Sequence, residues 1–145
     1  MARKWTLSPL VWLFGQTDNQ TVSDIRVLVV DDEEDMRALM TATITTANEG
    51  LAVAGEASDG DEAVALWREE RPEIVVIDQR MPGVTGVEAA ERILAEEPGQ
   101  AILLFTAFVD PDVVAAARRV GIRHCLSKSD IRRLPHALWT MAGLK

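Results

Sequence analysis

Acidic side chains follow two apolar runs of the sequence at the point where each run ends. Asp31 and Asp32 come directly after the run 25–30, and Asp78 comes directly after the run 74–77. Uninterrupted runs of Val, Ile and Leu are typical of strands that are buried on both faces of a parallel sheet. Because open α/β sheets place their sites at the carboxyl ends of such strands, we expect the three carboxylates to share one rim of the sheet.

A hydroxyl group and an ammonium group follow two further apolar runs. Thr106 ends the run 101–105, and Lys128 comes shortly after the run 122–126. Clustered carboxylates repel one another unless a cation neutralises them, and oxygen ligands suit Mg²⁺. The hydroxyl and the ammonium add the hydrogen-bond donor and the fixed positive charge that a phosphoryl group needs. The pattern therefore predicts a Mg²⁺ site at which an Asp could accept a phosphoryl group.

Helical patterns separate these runs. The first helical stretch shows the spacing of one apolar face at Met36, Leu39, Met40, Thr43, Ile44 and Ala47. Later helices have start signals, namely a capping box at Thr85 and Glu88 and an N-cap at Asp110 followed by proline, and Gly121 is a stop signal. With residues 51–57 as an edge strand, the sequence predicts five βα units around a doubly wound parallel sheet.

Length, composition and charge limit the classes of protein to which the chain can belong. Its 145 residues, of which 48% are apolar and 26% charged, match one globular domain. The net charge of −8 argues against direct binding of nucleic acid. No apolar run approaches the roughly 18 residues that a membrane span needs. The lone Cys125 fits a reducing compartment, so we expect a cytoplasmic chain without a membrane segment.

Residues 1–24 are predicted to be an extension outside the main domain, which we place at residues 25–145. The extension combines a polar linker with an apolar arm that contains Trp5, Leu10, Trp12, Leu13 and Phe14. Large apolar side chains are unfavourable in water. We therefore expect the arm to be helical or extended and to dock on an apolar surface of its own domain or of a neighbour.

The motifs together resemble the receiver domain of bacterial two-component response regulators. The similarity extends from about residue 25 to residue 141. It is carried by Val-Leu-Val-Val-Asp31-Asp32, Gly55-Glu-Ala-Ser-Asp-Gly60, Asp78-Gln-Arg-Met-Pro-Gly-Val-Thr-Gly86, Leu-Leu-Phe-Thr106-Ala107 and Leu-Ser-Lys128. Any one of these stretches is a weak signal, whereas all of them in this order are specific. The glycine-bounded stretch and the small-residue helix 113–120 are similar to receivers that precede a helix-turn-helix output domain.

The resemblance implies a flavodoxin-like sheet with strand order 2-1-3-4-5 and a phosphorylated aspartate. Asp78 would accept the phosphoryl group from a histidine kinase or a phosphotransfer protein. Mg²⁺ would be bound directly by Asp32, Asp78 and the backbone carbonyl of Arg80, while Asp31 would act mainly through water. Thr106 would hydrogen-bond the phosphoryl oxygen, and Lys128 would pair with it.

The family also implies how such a domain signals. The face formed by the fourth helix, the fifth strand and the fifth helix would switch and control an output, with a homodimer as one possible form. We expect no enzyme activity beyond slow, Mg²⁺-dependent self-dephosphorylation.

Two positions depart from the family pattern. Ser129 replaces the usual proline or acid after the lysine, so we predict a trans peptide bond there and a Ser129 side chain that caps the last helix. Cys125 replaces the usual aromatic residue, and a thiol cannot fill the pocket of a ring. The signal would then travel by displacement of the segment from Asp110 to Leu126, with Phe108 changing exposure, unless Cys125 is a plain strand residue and the domain transmits little.

Two other functions are compatible with parts of this pattern. A pseudo-receiver would work as a protein-interaction module without phosphotransfer, which Cys125 and the apolar arm favour. A phosphotransferase of the haloacid dehalogenase type also uses an Asp at a strand end. That family needs a second acid two residues after the nucleophile, where this chain has Arg80.

Overall fold

The five apolar runs form five parallel strands in the computed structural model, which describes residues 24–47 and 50–143. The strands are β1 (Ile25–Val30), β2 (Leu51–Ala57), β3 (Ile74–Ile77), β4 (Ala101–Thr106) and β5 (His124–Ser127). They lie in the order β2-β1-β3-β4-β5, which confirms the predicted flavodoxin-like topology. The strand order reverses between β1 and β3, and ligand sites of open α/β sheets lie at such a switch point.

Helices cover both faces of this sheet. They are α1 (Glu34–Ala47), α2 (Gly60–Glu70), α3 (Gly86–Glu96), α4 (Pro111–Val120), a 3-10 helix (Lys128–Arg133) and α5 (Leu134–Met141). Met40 of α1 and Leu134 of α5 are buried in the core on one face, while Trp67 of α2 and Ile93 of α3 are buried in the core on the other. All four residues of β3 are buried, as expected for the central strand of a covered parallel sheet.

The local start and stop signals act as predicted. Thr85 Oγ1 accepts a hydrogen bond from the Glu88 backbone N–H at 3.2 Å, and Glu88 Oε1 accepts one from the Thr85 backbone N–H at 2.9 Å. Asp110 caps α4, and Gly121 ends it with a φ of 109°. These contacts satisfy N–H and C=O groups that a helix end leaves without partners.

Two predicted packing details are wrong. Leu39 was expected on the apolar face of α1 but is 48% exposed, whereas Met40 and Ile44 are fully buried. The helix turns Leu39 about 100° away from Met40, outside the strip that the sheet covers. The fifth strand begins at His124, two residues later than predicted. Ile122 is buried in the core but lies before the strand. It directly follows the C-cap of α4, and its N–H donates to the Ala117 carbonyl at 2.9 Å.

The segment after β5 differs from the prediction of one closing helix. The 3-10 helix is capped by Ser127, whose hydroxyl accepts a hydrogen bond from the Ser129 N–H at 3.3 Å. Ser129 lies inside this 3-10 helix and caps no helix, so that prediction is wrong. The peptide bond after Lys128 is trans, as predicted.

The expected extension falls almost entirely outside the described residues. Only Asp24 of residues 1–24 is described, so the docking of the apolar arm stays a prediction. No helix within residues 24–47 and 50–143 has the length and apolarity needed to cross a bilayer.

Candidate functional site

The carboxyl ends of β1 and β3 bring three carboxylates together. One oxygen atom from each of Asp31, Asp32 and Asp78 lies within 4.8 Å of the other two. Asp31 and Asp78 are buried, whereas Asp32 is exposed. The adjacent strands fix this arrangement, since the Asp78 backbone N–H donates to the Val30 carbonyl at 3.0 Å. The cluster therefore combines two buried carboxylates with one carboxylate that is accessible to solvent.

Lys128 bridges the two buried acids. Its Nζ lies 2.9 Å from Asp78 Oδ2, to which it donates a hydrogen bond, and 2.7 Å from Asp31 Oδ2. Burial acts to lower the pKa of Lys128, but the carboxylates of Asp31 and Asp78 outweigh burial and raise this pKa above its ordinary value. The ammonium therefore stays protonated and supplies a fixed positive charge at the end of β5.

The residues of this cluster fit a divalent cation. Asp31 Oδ2 is buried, and among the described residues it has no well-aligned hydrogen bond beyond its ion pair with Lys128 Nζ at 2.7 Å. One ammonium cannot balance three carboxylates, and oxygen donors grouped in this way suit Mg²⁺. Arg80 lies two residues beyond Asp78 with an exposed side chain, and the role of its carbonyl as a further ligand stays a prediction.

The turn after Asp78 is fixed by contacts that the sequence analysis did not foresee. Gln79 Oε1 accepts a hydrogen bond from the Val87 N–H at 2.9 Å, and the Gly86 N–H donates to the Gln79 carbonyl at 3.1 Å. A Cβ atom on Gly86 would lie 2.2 Å from the Asp78 carbonyl oxygen. The first residue of α3 must therefore be glycine for the helix to pack directly against the backbone of the candidate phosphoacceptor.

Thr106 lies at the end of β4 beside a cavity. The residue is 4% exposed, and it lines a space of about 320 Å³ together with Gln79, Arg80 and Phe108. Phe108, which lines this cavity, is 73% exposed. The structure thus places Thr106 at the carboxyl end of β4, next to the strand that ends at Asp78, while its contact with a phosphoryl group stays a prediction.

Cys125 lies away from the rim. It is partly buried and packs against the same core cluster as Val113 and Val120 of α4. Burial raises the pKa of its thiol, and the charge of Arg118 offsets this only in part. The neutral thiol is therefore the favoured form, and Cys125 behaves as a small apolar strand residue.

Comparison with known protein families identifies the class of protein to which this site belongs. The model of the response regulator receiver domain matches residues 27–138. This chain belongs to that family. The receiver is 37% identical over 103 residues to the chemotaxis protein CheY of Thermotoga maritima, and the alignment covers 71% of this chain and 84% of that protein. The motifs quoted from the sequence therefore identified the family correctly.

Two other relatives differ in how much of their own length the chain covers. The receiver is 37% identical over 133 residues to protein-glutamate methylesterase/protein-glutamine glutaminase 4 of Myxococcus xanthus, which covers 83% of this chain and 37% of that protein. It is 33% identical to the solved two-component response regulator of the LuxR family from Aurantimonas sp. SI85-9A1, with a TM-score of 0.77 and coverage of 85% and 89%. The chain thus spans little more than a third of the methylesterase, whose activity cannot be carried over to it.

Proposed function

We propose that this receiver is a phosphoacceptor switch in which Asp78 takes a phosphoryl group from a histidine kinase or a phosphotransfer protein. The observation that carries the proposal is the position of Lys128, which contacts the two buried acids at 2.7 and 2.9 Å. A stable fold alone does not require three grouped carboxylates, two of them buried, beside a partly buried ammonium, because such an arrangement is costly. Acceptance of a phosphoryl group by Asp78 would give the clustered carboxylates and Lys128 a function.

The transfer step follows from the chemistry of the rim. An oxygen of Asp78 attacks the phosphorus of a phosphohistidine, an O–P bond forms, and the N–P bond breaks. The imidazole leaves with the electron pair of that bond and takes up a proton. Lys128 and Thr106 supply a positive charge and a hydrogen-bond donor for the phosphoryl oxygens, so the chain acts by positioning and electrostatics.

The metal is proposed to lie at the acidic cluster. Asp32, Asp78 and the Arg80 carbonyl would bind Mg²⁺ directly, and Asp31 would act mainly through water. When bound, Mg²⁺ supplies positive charge that offsets the negative charge of the transferring group. Slow hydrolysis of the aspartyl phosphate by water would reset the switch, and no separate substrate would be turned over.

The output surface is proposed to be the face formed by α4, β5 and α5. The segment 107–110 joins Thr106 to α4 and is exposed, so a displacement of Thr106 toward a phosphoryl group can pass to α4. A partner protein or a second copy of the chain would read this face. The pseudo-receiver alternative gains no support, since the three acids are clustered and Lys128 contacts two of them.

The decisive experiment is phosphorylation by a small donor. We expect the intact mass of the chain to rise by one phosphoryl group after incubation with acetyl phosphate and Mg²⁺, and to stay unchanged with EDTA. The Asp78→Asn variant, which keeps the shape of the side chain but loses the nucleophile, should gain no mass. A phosphorylated Asp78→Asn variant would refute the assignment, and an unmodified wild-type chain would restore the interaction module as the better explanation.

A further inference from the structure

The loop that carries Asp31 and Asp32 is held by an arginine that lies outside the acidic cluster. Nη1 of Arg37 donates a hydrogen bond to the backbone carbonyl oxygen of Asp31 at 2.7 Å. The Arg37 side chain is only 17% exposed, so this contact differs from the solvated ion pairs that contribute little. Arg37 lies in the first turns of α1, and its own N–H donates to the Glu33 carbonyl at 3.0 Å. The arginine therefore joins α1 to the end of β1.

Two further side chains orient the Arg37 guanidinium. Its Nε lies 3.6 Å from Glu56 Oε1, and Thr41 Oγ1 donates to Glu56 Oε2 at 2.9 Å. Arg37 and Thr41 are four residues apart and therefore share one face of α1. Glu56 lies in β2 opposite Val29 of β1. The carboxylate of Glu56 thus ties two side chains of α1 to the edge strand of the sheet.

Asp31 is consequently held by two cations at two different groups. Lys128 contacts its carboxylate, and Arg37 contacts its carbonyl. Within the described residues, Arg37 contacts none of the three clustered carboxylates, so it would not ligate an ion. Mg²⁺ demands near-ideal octahedral geometry, and groups that orient the ligands therefore affect its affinity.

We propose that Arg37 is a positioning residue of the metal site. It fixes the main chain at Asp31, so that the carboxylates of Asp31 and Asp32 face Asp78 at ion-binding distance, and Glu56 orients it. The inference rests on the proposed Mg²⁺ site and extends it to a residue with no contact to the ion or to the phosphoryl group.

The chain offers a matched control at the other end of β1. Arg26 also donates to a backbone carbonyl, that of Glu70, and its Nη2 pairs with the Glu70 carboxylate at 2.7 Å. Arg26→Gln therefore removes the same type of contact far from the acidic rim. We would measure the dissociation constant of Mn²⁺ by calorimetry, after circular dichroism has shown that each variant is folded. Arg37→Gln should bind Mn²⁺ about 10- to 100-fold more weakly than the wild-type chain, whereas Arg26→Gln should stay within about twofold of it.

Amide exchange of the metal-free protein gives a second readout. The Glu33 N–H donates to Asp31 Oδ1 at 2.9 Å, and the Asp31 N–H donates to the Ala57 carbonyl at 3.1 Å. Both amides should exchange faster in Arg37→Gln but not in Arg26→Gln. Unchanged Mn²⁺ affinity and unchanged exchange in Arg37→Gln would overturn the role of Arg37 and leave the proposed metal site intact. A wild-type chain that bound no Mn²⁺ would overturn the metal site, and this inference with it.

Discussion

Lys128 is the residue on which the charge balance of the site depends. Asp31 and Asp78 are buried, and Lys128 is the one cation that forms an ion pair with them among the described residues. A buried carboxylate that loses its partner keeps the cost of its lost hydration. The same ammonium that would hold a phosphoryl group therefore also stabilises the metal-free fold.

We predict that Lys128→Met lowers the free energy of unfolding by about 3 kcal/mol in EDTA, because two buried acids lose their cation. Saturating Mg²⁺ should recover part of this loss, since a ligand that binds only the folded state stabilises it. Urea denaturation with and without Mg²⁺ measures both effects. The control is Arg92→Met, whose partner Asp61 is exposed, and which should lose less than about 1 kcal/mol. Equal losses in the two variants would show that Lys128 has no special role in stability.

At the scale of helices and strands, features that depend on neighbouring residues in the sequence were predicted correctly, whereas features that depend on packing between elements were not. The Thr85 capping box and the Gly121 C-cap involve residues within one turn, so their spacing specifies them. The exposure of Leu39 and the late start of β5 depend on what the neighbouring elements cover. Ser127 caps the 3-10 helix in place of Ser129, because the chain tightens into 3-10 geometry directly after β5.

The packing of α3 against the turn after β3 gives a prediction for one glycine. Gly86→Ala should destabilise the fold by roughly 1–3 kcal/mol, although alanine is the better helix former, because its Cβ would lie 2.2 Å from the Asp78 carbonyl oxygen. The displaced turn should also slow phosphorylation of Asp78. Thermal unfolding and the rate of mass gain with acetyl phosphate measure the two effects.

Gly99→Ala is the matched control for this change. The nearest atom to a Cβ at Gly99 is the Glu97 Oε2 atom at 3.6 Å, an ordinary contact. This variant should keep both the stability and the phosphorylation rate of the wild-type chain. If the two alanine variants behaved alike, the close approach at Gly86 would have no energetic consequence.

At the scale of the whole molecule, acidic and basic residues are unevenly distributed along the sequence, which the net charge of −8 does not show. Residues 113–145 contain seven of the fifteen Lys and Arg residues but only one of the 23 acids. Within the described contacts, Arg118, Arg119, Arg123 and Arg132 form no ion pair. The acidic rim was predicted from the sequence. The contact of Arg37 with the Asp31 carbonyl was not, because it depends on how α1 packs beside β2.

The acidic rim and the face formed by α4, β5 and α5 should be coupled when a phosphoryl analogue binds. Beryllofluoride with Mg²⁺ would mimic the proposed phosphoryl group on Asp78, and its negative fluorines would attract Thr106 and Lys128. Since Thr106 continues into the exposed segment 107–110, we expect amide protection to change between Asp110 and Leu126. Phe108, now 73% exposed, should change its exposure at the same time.

Hydrogen exchange with and without beryllofluoride measures this coupling, and Asp78→Asn is the control that should show no change. Cys125 has too small a side chain to act as a rotating ring, so the coupling would have to pass through the backbone of the β4–α4 connection. Protection changes confined to residues 31–33 and 78–86 would contradict displacement of α4. They would mean that phosphorylation alters the rim without reaching the α4, β5 and α5 face.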